Sequence, residues 1–224
     1  MLKGIKLKNS TILLIGILLI VLGVAFGLYE YFYERKNNAF SEMNIMLYEN
    51  EKPKNIDKQD QNTNIDANNS EDTPKEDDNN QTNSVDINYN YIGVLEIPKI
   101  NLKRGFLDLN SRYNNVDYNV TLIKGSTFPD NDKSSLILAA HSGVCSICYF
   151  NNLFNLSFGN QAYVYYNNIK YIYSLVDIYE VDKVGTVAIH RDYSKKGLVL
   201  ITCTTNSDTK QTVFIFELIN QEEY

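Results

Sequence analysis

The 224-residue chain holds only two histidines, His141 and His190, and three cysteines, Cys145, Cys148 and Cys203. Two of these five close apolar runs: His141 follows SSLILAA (134–140) and Cys203 follows GLVLIT (197–202). A thiolate attacks a carbonyl carbon and an imidazole can protonate a departing amine, so a Cys and a His brought together form a nucleophile and acid/base pair. Strand ends suit such groups, because a rigid scaffold holds them while leaving them accessible. The bland alternative for Cys203 is a small buried hydrophobe. His190 sits among Arg191, Asp192, Ser194, Lys195 and Lys196, which marks a surface loop, with the lip of a groove as its functional alternative.

Cys145 and Cys148 form C-x-x-C just after His141. Three readings stay open for them. One is a local disulfide in an oxidising exterior. Another is the packing of two small apolar side chains. The third is zinc, with His141, Cys145, Cys148 and Cys203 as a Cys₃His set. Zinc would consume the candidate nucleophile, and four ligands without an open position describe a structural site.

These residues need elements to position them, and the pattern from 89 to 224 is β. Eight short runs rich in Val, Ile, Tyr and Phe lie between turn signals, at 91–97, 101–106, 119–123, 135–140, 162–166, 169–182, 198–203 and 212–219. Asn167-Asn168 tolerates positive φ and predicts a tight hairpin between the fifth and sixth runs. Helical pattern is limited to 110–116 and to the stretch around 149–156. Eight strands in so short a domain predict a closed barrel or a sandwich, since closure removes exposed edges.

Ahead of this domain the chain changes character twice. Residues 11–29, TILLIGILLIVLGVAFGLY, carry no charge; at about 1.5 Å per residue they cover roughly the 30 Å core of a bilayer. The expected organisation is a cytoplasmic N-terminus over 1–10 and a transmembrane signal anchor over 11–33. Lys3, Lys6 and Lys8 precede the span, so the positive-inside bias sends everything after it outward. A cleaved signal peptide would have a shorter apolar region and a small-x-small cleavage site. Residues 34–88 are expected to extend the helix as far as about Tyr48, then to run as a disordered tether that holds the last domain away from the membrane. The formal net charge of the chain is −6, and the acidity is concentrated in the tether. That balance excludes a nucleic-acid binder built on global basicity.

With those residues in place, the domain over 89–224 resembles the sortases, the cysteine transpeptidases of Gram-positive bacteria. IGVLEIPKI (92–100) is similar to the family's opening strand, LILAAHSG (136–143) to its histidine strand and YFNNLFNL (149–156) to the helix after it. LVLITCT (198–204) is similar to its cysteine signature, with a Thr directly before the nucleophile. The resemblance implies an all-β fold: an eight-stranded closed sortase-type barrel with one or two short helices, behind the transmembrane helix and disordered linker. It implies Cys203 as nucleophile, His141 as acid/base, and Thr202 shaping the oxyanion site through its backbone or hydroxyl. Partners would be secreted proteins bearing a C-terminal LPxTG-like sorting signal and an amine of a peptidoglycan precursor, at a single-pass position in the cell membrane reached through residues 11–33. No cofactor is expected. Asp130, Asp132, Glu180 and Asp182 offer oxygen ligands of the kind some family members use for calcium, but they read first as solvated loop charge.

The sequence departs from its family in one respect. Sortases carry an Arg at the start of the strand after the cysteine, and here Arg35, Arg104, Arg112 and Arg191 all precede Cys203. Three outcomes follow: Lys210, the residue at the matching position, serves in its place; Arg191 folds over the site; or the protein is a membrane-tethered peptide-binding barrel with impaired turnover. The stretch 183–197 lacks room for a long helix, no Asp-Pro-aromatic lid motif precedes the barrel, and no second apolar span follows it. These features favour a housekeeping or clostridial-type anchoring sortase over the pilin-polymerising and iron-acquisition classes.

Overall fold

The computed structural model describes residues 9–50 and 89–224; the tether over 51–88 and the N-terminal lysines lie outside the described residues. Eight strands form one sheet: β1 Tyr91–Ile97, β2 Leu102–Leu107, β3 Thr121–Leu122, β4 Ser135–Ala139, β5 Gln161–Tyr166, β6 Ile169–Asp182, β7 Gly197–Cys203 and β8 Lys210–Glu223. Their spatial order is β2-β1-β5-β6-β8-β7-β4-β3. A parallel bridge between Phe106 at the end of β2 and Val120 beside β3 joins the two edges, so the sheet closes into the expected barrel.

Local chemistry explains most of the turns. Asn167 and Asn168 both adopt positive φ, 50° and 61°, and form the tight β5–β6 hairpin. Pro98 opens a single 3₁₀ turn, Pro98–Ile100, and Asn101 leaves it in the left-handed region to start β2. β6 and β8 pair over nearly their whole 14-residue lengths, with register breaks at Ile172/Tyr173 and Leu175/Asp177. Such bulges add the bend that lets long strands wrap a barrel.

The two expected helical stretches are not helices. Residues 108–119 are a chain of turns, because short polar side chains capture the backbone locally. Asp108 accepts from the Asn110 N–H at 2.9 Å, and Asn114 both accepts from the Leu122 N–H at 2.7 Å and donates to its carbonyl at 2.9 Å. Side-chain bonds of this kind compete directly with helix formation. Around 149–156 only the 3₁₀ turn Leu153–Asn155 survives, with Leu153 buried in the core.

Among the described residues β4 and β7 are the one pair of strands that runs parallel, apart from the single closing bridge, matched from Ser135↔Gly197 to Ala139↔Ile201. Both are covered on each face. Leu136, Leu138, Leu198 and Leu200 point into the barrel, while Ile137, Val199 and Ile201 join an outer cluster with Val213 and Ile215. That double burial is why these strands read as unbroken apolar runs. Gly93 shows how tightly the wall is packed. A Cβ there would run into the Phe106 ring and sit 2.9 Å from the Tyr165 carbonyl oxygen. We expect Gly93→Ala to cost about 1–3 kcal/mol by overpacking, measured as a lower urea midpoint at unchanged m-value.

One α-helix, α1 Asn9–Asn50, precedes the barrel, at 42 residues about 60 Å long. It is long and apolar enough to cross a membrane, and its large apolar side chains from Leu13 to Phe32 have no protein cover. Its last turns neither fray nor stand away from the barrel. Ile45 is buried in a cluster with Tyr91, Val94, Leu107 and Tyr165, and Lys103 pairs with Glu49 at 2.9 Å. Tyr48 donates its hydroxyl to the Tyr165 carbonyl at 3.3 Å, and burial pushes that phenol up to about 12. Tyr89 packs on the same cluster as Tyr48. The described residues on either side of 51–88, Tyr48 and Tyr89, thus pack on one cluster.

Candidate active site

The parallel pairing of β4 and β7 carries both strands to the same end of the barrel, and one backbone and two side-chain bonds extend it past the last paired residues. The Ala140 N–H donates to the Ile201 carbonyl at 3.3 Å, the Thr202 hydroxyl to the Ala140 carbonyl at 2.8 Å, and the Ser142 hydroxyl to the Cys203 carbonyl at 2.7 Å. The backbone of His141, between Ala140 and Ser142, is thereby carried to the same end of the barrel as Cys203. Thr202 is 6% exposed with its hydroxyl committed to that carbonyl, so its side chain clamps the two strand ends together. Cys203 is the free cysteine and is partly exposed. It borders a cavity of about 290 Å³ whose walls include Ser142, Phe150, Phe154, Glu180 and Thr212. A larger hollow of about 610 Å³, between α1 and the loop after β4, touches neither Cys203 nor His141.

His141 has a partner that the sequence did not single out. Its Nε2 lies 3.2 Å from Asp117 Oδ1, with the two side chains 37% and 67% exposed. A neutral ring in this pair carries its proton on Nε2, and among the described residues Nδ1 has no hydrogen-bond partner. Asp117 comes from the turn-rich segment before β3, 24 residues upstream, and no spacing signal links it to His141. We expect Asp117→Asn to lower kcat/KM by about fivefold, as befits a solvent-screened pair worth up to ~1 kcal/mol.

Of the expected stand-ins for the missing cation, Arg191 lies far from the cysteine and Lys210 lies beside it but is paired with Glu180. Arg191 donates to the Ser134 and Lys195 carbonyls and packs near Gly197, at the opposite end of β7, roughly 20 Å from Cys203. The register sets Gln211, not Lys210, across from Cys203. Lys210 faces the other side of the sheet and pairs with Glu180 at 3.2 Å. The cation that does reach the sulfur is Lys183, at the end of β6, with Nζ 3.8 Å from Cys203 Sγ.

Cys145 and Cys148 are joined as a disulfide, which removes the Cys₃His zinc set. Thiol titration of the denatured chain should find one reactive thiol before reduction and three after it. The calcium ligands do not converge either: Asp130 accepts from the Asn167 and Asn131 side chains while Glu180 holds Lys210. Among the described residues no group of three or more His, Cys, Asp or Glu is placed to hold a metal ion. His190 is exposed and its ring stacks on Tyr179 at 4.7 Å, with the Tyr179 hydroxyl donating to the Ala188 carbonyl at 2.8 Å. The pair ties down the β6–β7 connection.

The sortase-domain family model matches residues 95–218, more than half of the chain. The chain belongs to the sortase family. Solved structures with this fold include a Clostridium perfringens sortase D5 transpeptidase, at 18% identity and a TM-score of 0.50, covering 58% of this chain and 79% of that one. Listeria monocytogenes sortase A matches at 18% identity and a TM-score of 0.51, covering 60% and 90%. Sortase C-1 of Actinomyces oris matches at 22% identity and a TM-score of 0.52, covering 58% and 72%. At these identities the likeness is one of fold. No curated protein matches the chain. Sortases are cysteine transpeptidases, and in this member Gln211 stands opposite Cys203 with Lys183 beside the sulfur.

Proposed function

We propose that the protein is a membrane-anchored cysteine transpeptidase, which cleaves an LPxTG-like sorting signal near the C-terminus of secreted proteins and passes them to an amine of the cell wall. Residues 11–33 cross the membrane with the N-terminus in the cytoplasm, and the barrel works outside. Support comes from one observation above all: in a chain of this family, the adjacent parallel strands that lead to Cys203 and His141 run to the same end of the barrel. The thiolate of Cys203 attacks the Thr carbonyl. The carbonyl pair moves onto oxygen and returns to expel the Gly amine, which leaves with a proton from the His141 imidazolium. The resulting thioester is attacked by the incoming amine, whose proton passes to the now neutral His141, and the sulfur leaves as thiolate. Asp117 steadies the imidazolium in both halves.

The docked helix fits the second substrate. A barrel held against α1 stays close to the bilayer, where a lipid-linked precursor amine is concentrated. The test is an internally quenched LPxTG-like peptide, incubated with the full chain in detergent micelles. Time-dependent cleavage, with a covalent intermediate trapped on Cys203, is the expected result. Saturable binding without cleavage would leave only a peptide-binding barrel.

A further inference from the structure

We propose that Lys183 is the cation that holds Cys203 as a thiolate, the charge role of the missing Arg having moved to the end of β6. This rests on Cys203 being the nucleophile, as proposed above. The contact itself is direct, Nζ to Sγ at 3.8 Å. The backbone fixes its origin: the Lys183 N–H donates to the Thr209 carbonyl at 2.7 Å, which ties the end of β6 to the β7–β8 turn beside the cysteine. The competing cations are committed elsewhere, Lys210 to Glu180 and Arg191 to the far end of β7. The His141 ring is engaged by Asp117. Cys203 thus has a cation of its own, while His141 keeps a carboxylate suited to an imidazolium.

That division of labour is chemically coherent. A cationic neighbour favours the thiolate over the thiol. The thiol proton leaves to solvent when the ion pair forms, and Lys183 stays protonated throughout. As the S–C bond forms, the negative charge moves from sulfur to the carbonyl oxygen within reach of the same flexible ammonium. His141 alone exchanges protons, giving one to the leaving amine and taking one from the entering amine. A lysine in this place supplies a point charge without the planar fork of a guanidinium.

Iodoacetamide alkylation of Cys203, followed by mass spectrometry across the neutral pH range on the full chain in micelles, tests the assignment without any peptide substrate. With the disulfide left oxidised, Cys203 is the one free thiol. The charged and titratable groups nearest it on the surrounding elements are Lys183, the Glu180–Lys210 pair, Asp182, Asp208, Tyr179 with His190 stacked on it, and His141 with Asp117. We expect Lys183→Ala to move the alkylation midpoint up by about one pH unit, roughly a tenfold loss of rate below it, and Lys183→Arg to restore most of the shift. Lys99→Ala, on the exposed turn before β2, controls for net charge. A Lys183→Ala midpoint that coincides with the parent's overturns the assignment, as does an equal or larger shift in Lys210→Ala. A purely structural role would lower the melting temperature and leave the midpoint in place. If the peptide is never cleaved yet the midpoint moves, the ion pair stands and the proposed function falls; cleavage with an unmoved midpoint gives the reverse.

Discussion

Cys203→Ala is expected to abolish peptide cleavage, with kcat/KM falling on the order of 10⁴-fold or more. In the proposed reaction the sulfur is the atom to which the acyl group is transferred, and the hydroxyls around it are weaker nucleophiles. Ser142 is nearby, but its hydroxyl donates to the Cys203 carbonyl, and the Thr202 hydroxyl is buried against Ala140. The variant should fold normally. Cys203 pairs with Gln211 through its backbone and its side chain is partly exposed, so a shorter side chain leaves no large cavity. Equal melting temperatures for parent and variant, measured beside the quenched-peptide assay, would assign the whole loss to chemistry. Residual cleavage within tenfold of the parent would mean that Cys203 is not the nucleophile.

His141→Ala should be the second largest effect, a loss of about 10²–10⁴-fold in kcat/KM, the range for removing a positioned general acid. Amine expulsion needs a proton at the moment the C–N bond breaks, and in the proposed mechanism His141 gives it. The variant separates the two cations. Because Lys183 and not His141 touches the sulfur, alkylation of Cys203 should survive in His141→Ala while turnover collapses. Single-turnover measurement of thioester formation against the same peptide checks the loss. Turnover within a factor of three of the parent would remove His141 from the mechanism.

Much of the fold was legible because it follows from local pattern. β1 and β6 match the runs read from the sequence residue for residue, and the Asn167-Asn168 hairpin follows from the tolerance of Asn for positive φ. β8 is longer than its apolar run: its end reads IleAsnGlnGluGlu, since that part pairs through backbone bonds along β6 with its side chains in solvent. The helix expected over 110–116 failed for a comparable reason, the capture of backbone groups by Asp108 and Asn114. In each case a few neighbouring residues decide the outcome.

The sequence by itself determined that this chain has an apolar span, an acidic linker and a β-barrel with a Cys and a His at the ends of doubly buried strands. It did so because period, turn chemistry and hydrophobic runs act over a handful of residues. Tertiary structure alone decided that α1 docks on β1, that Asp117 meets His141, and that the cysteine's cation is Lys183 and not Lys210. Those contacts depend on which strand lies between which, with β8 set between β6 and β7, and on which face each residue takes in the register. Shifting that register by one residue would swap Gln211 and Lys210 across the sheet, and no feature short of the closed barrel fixes it.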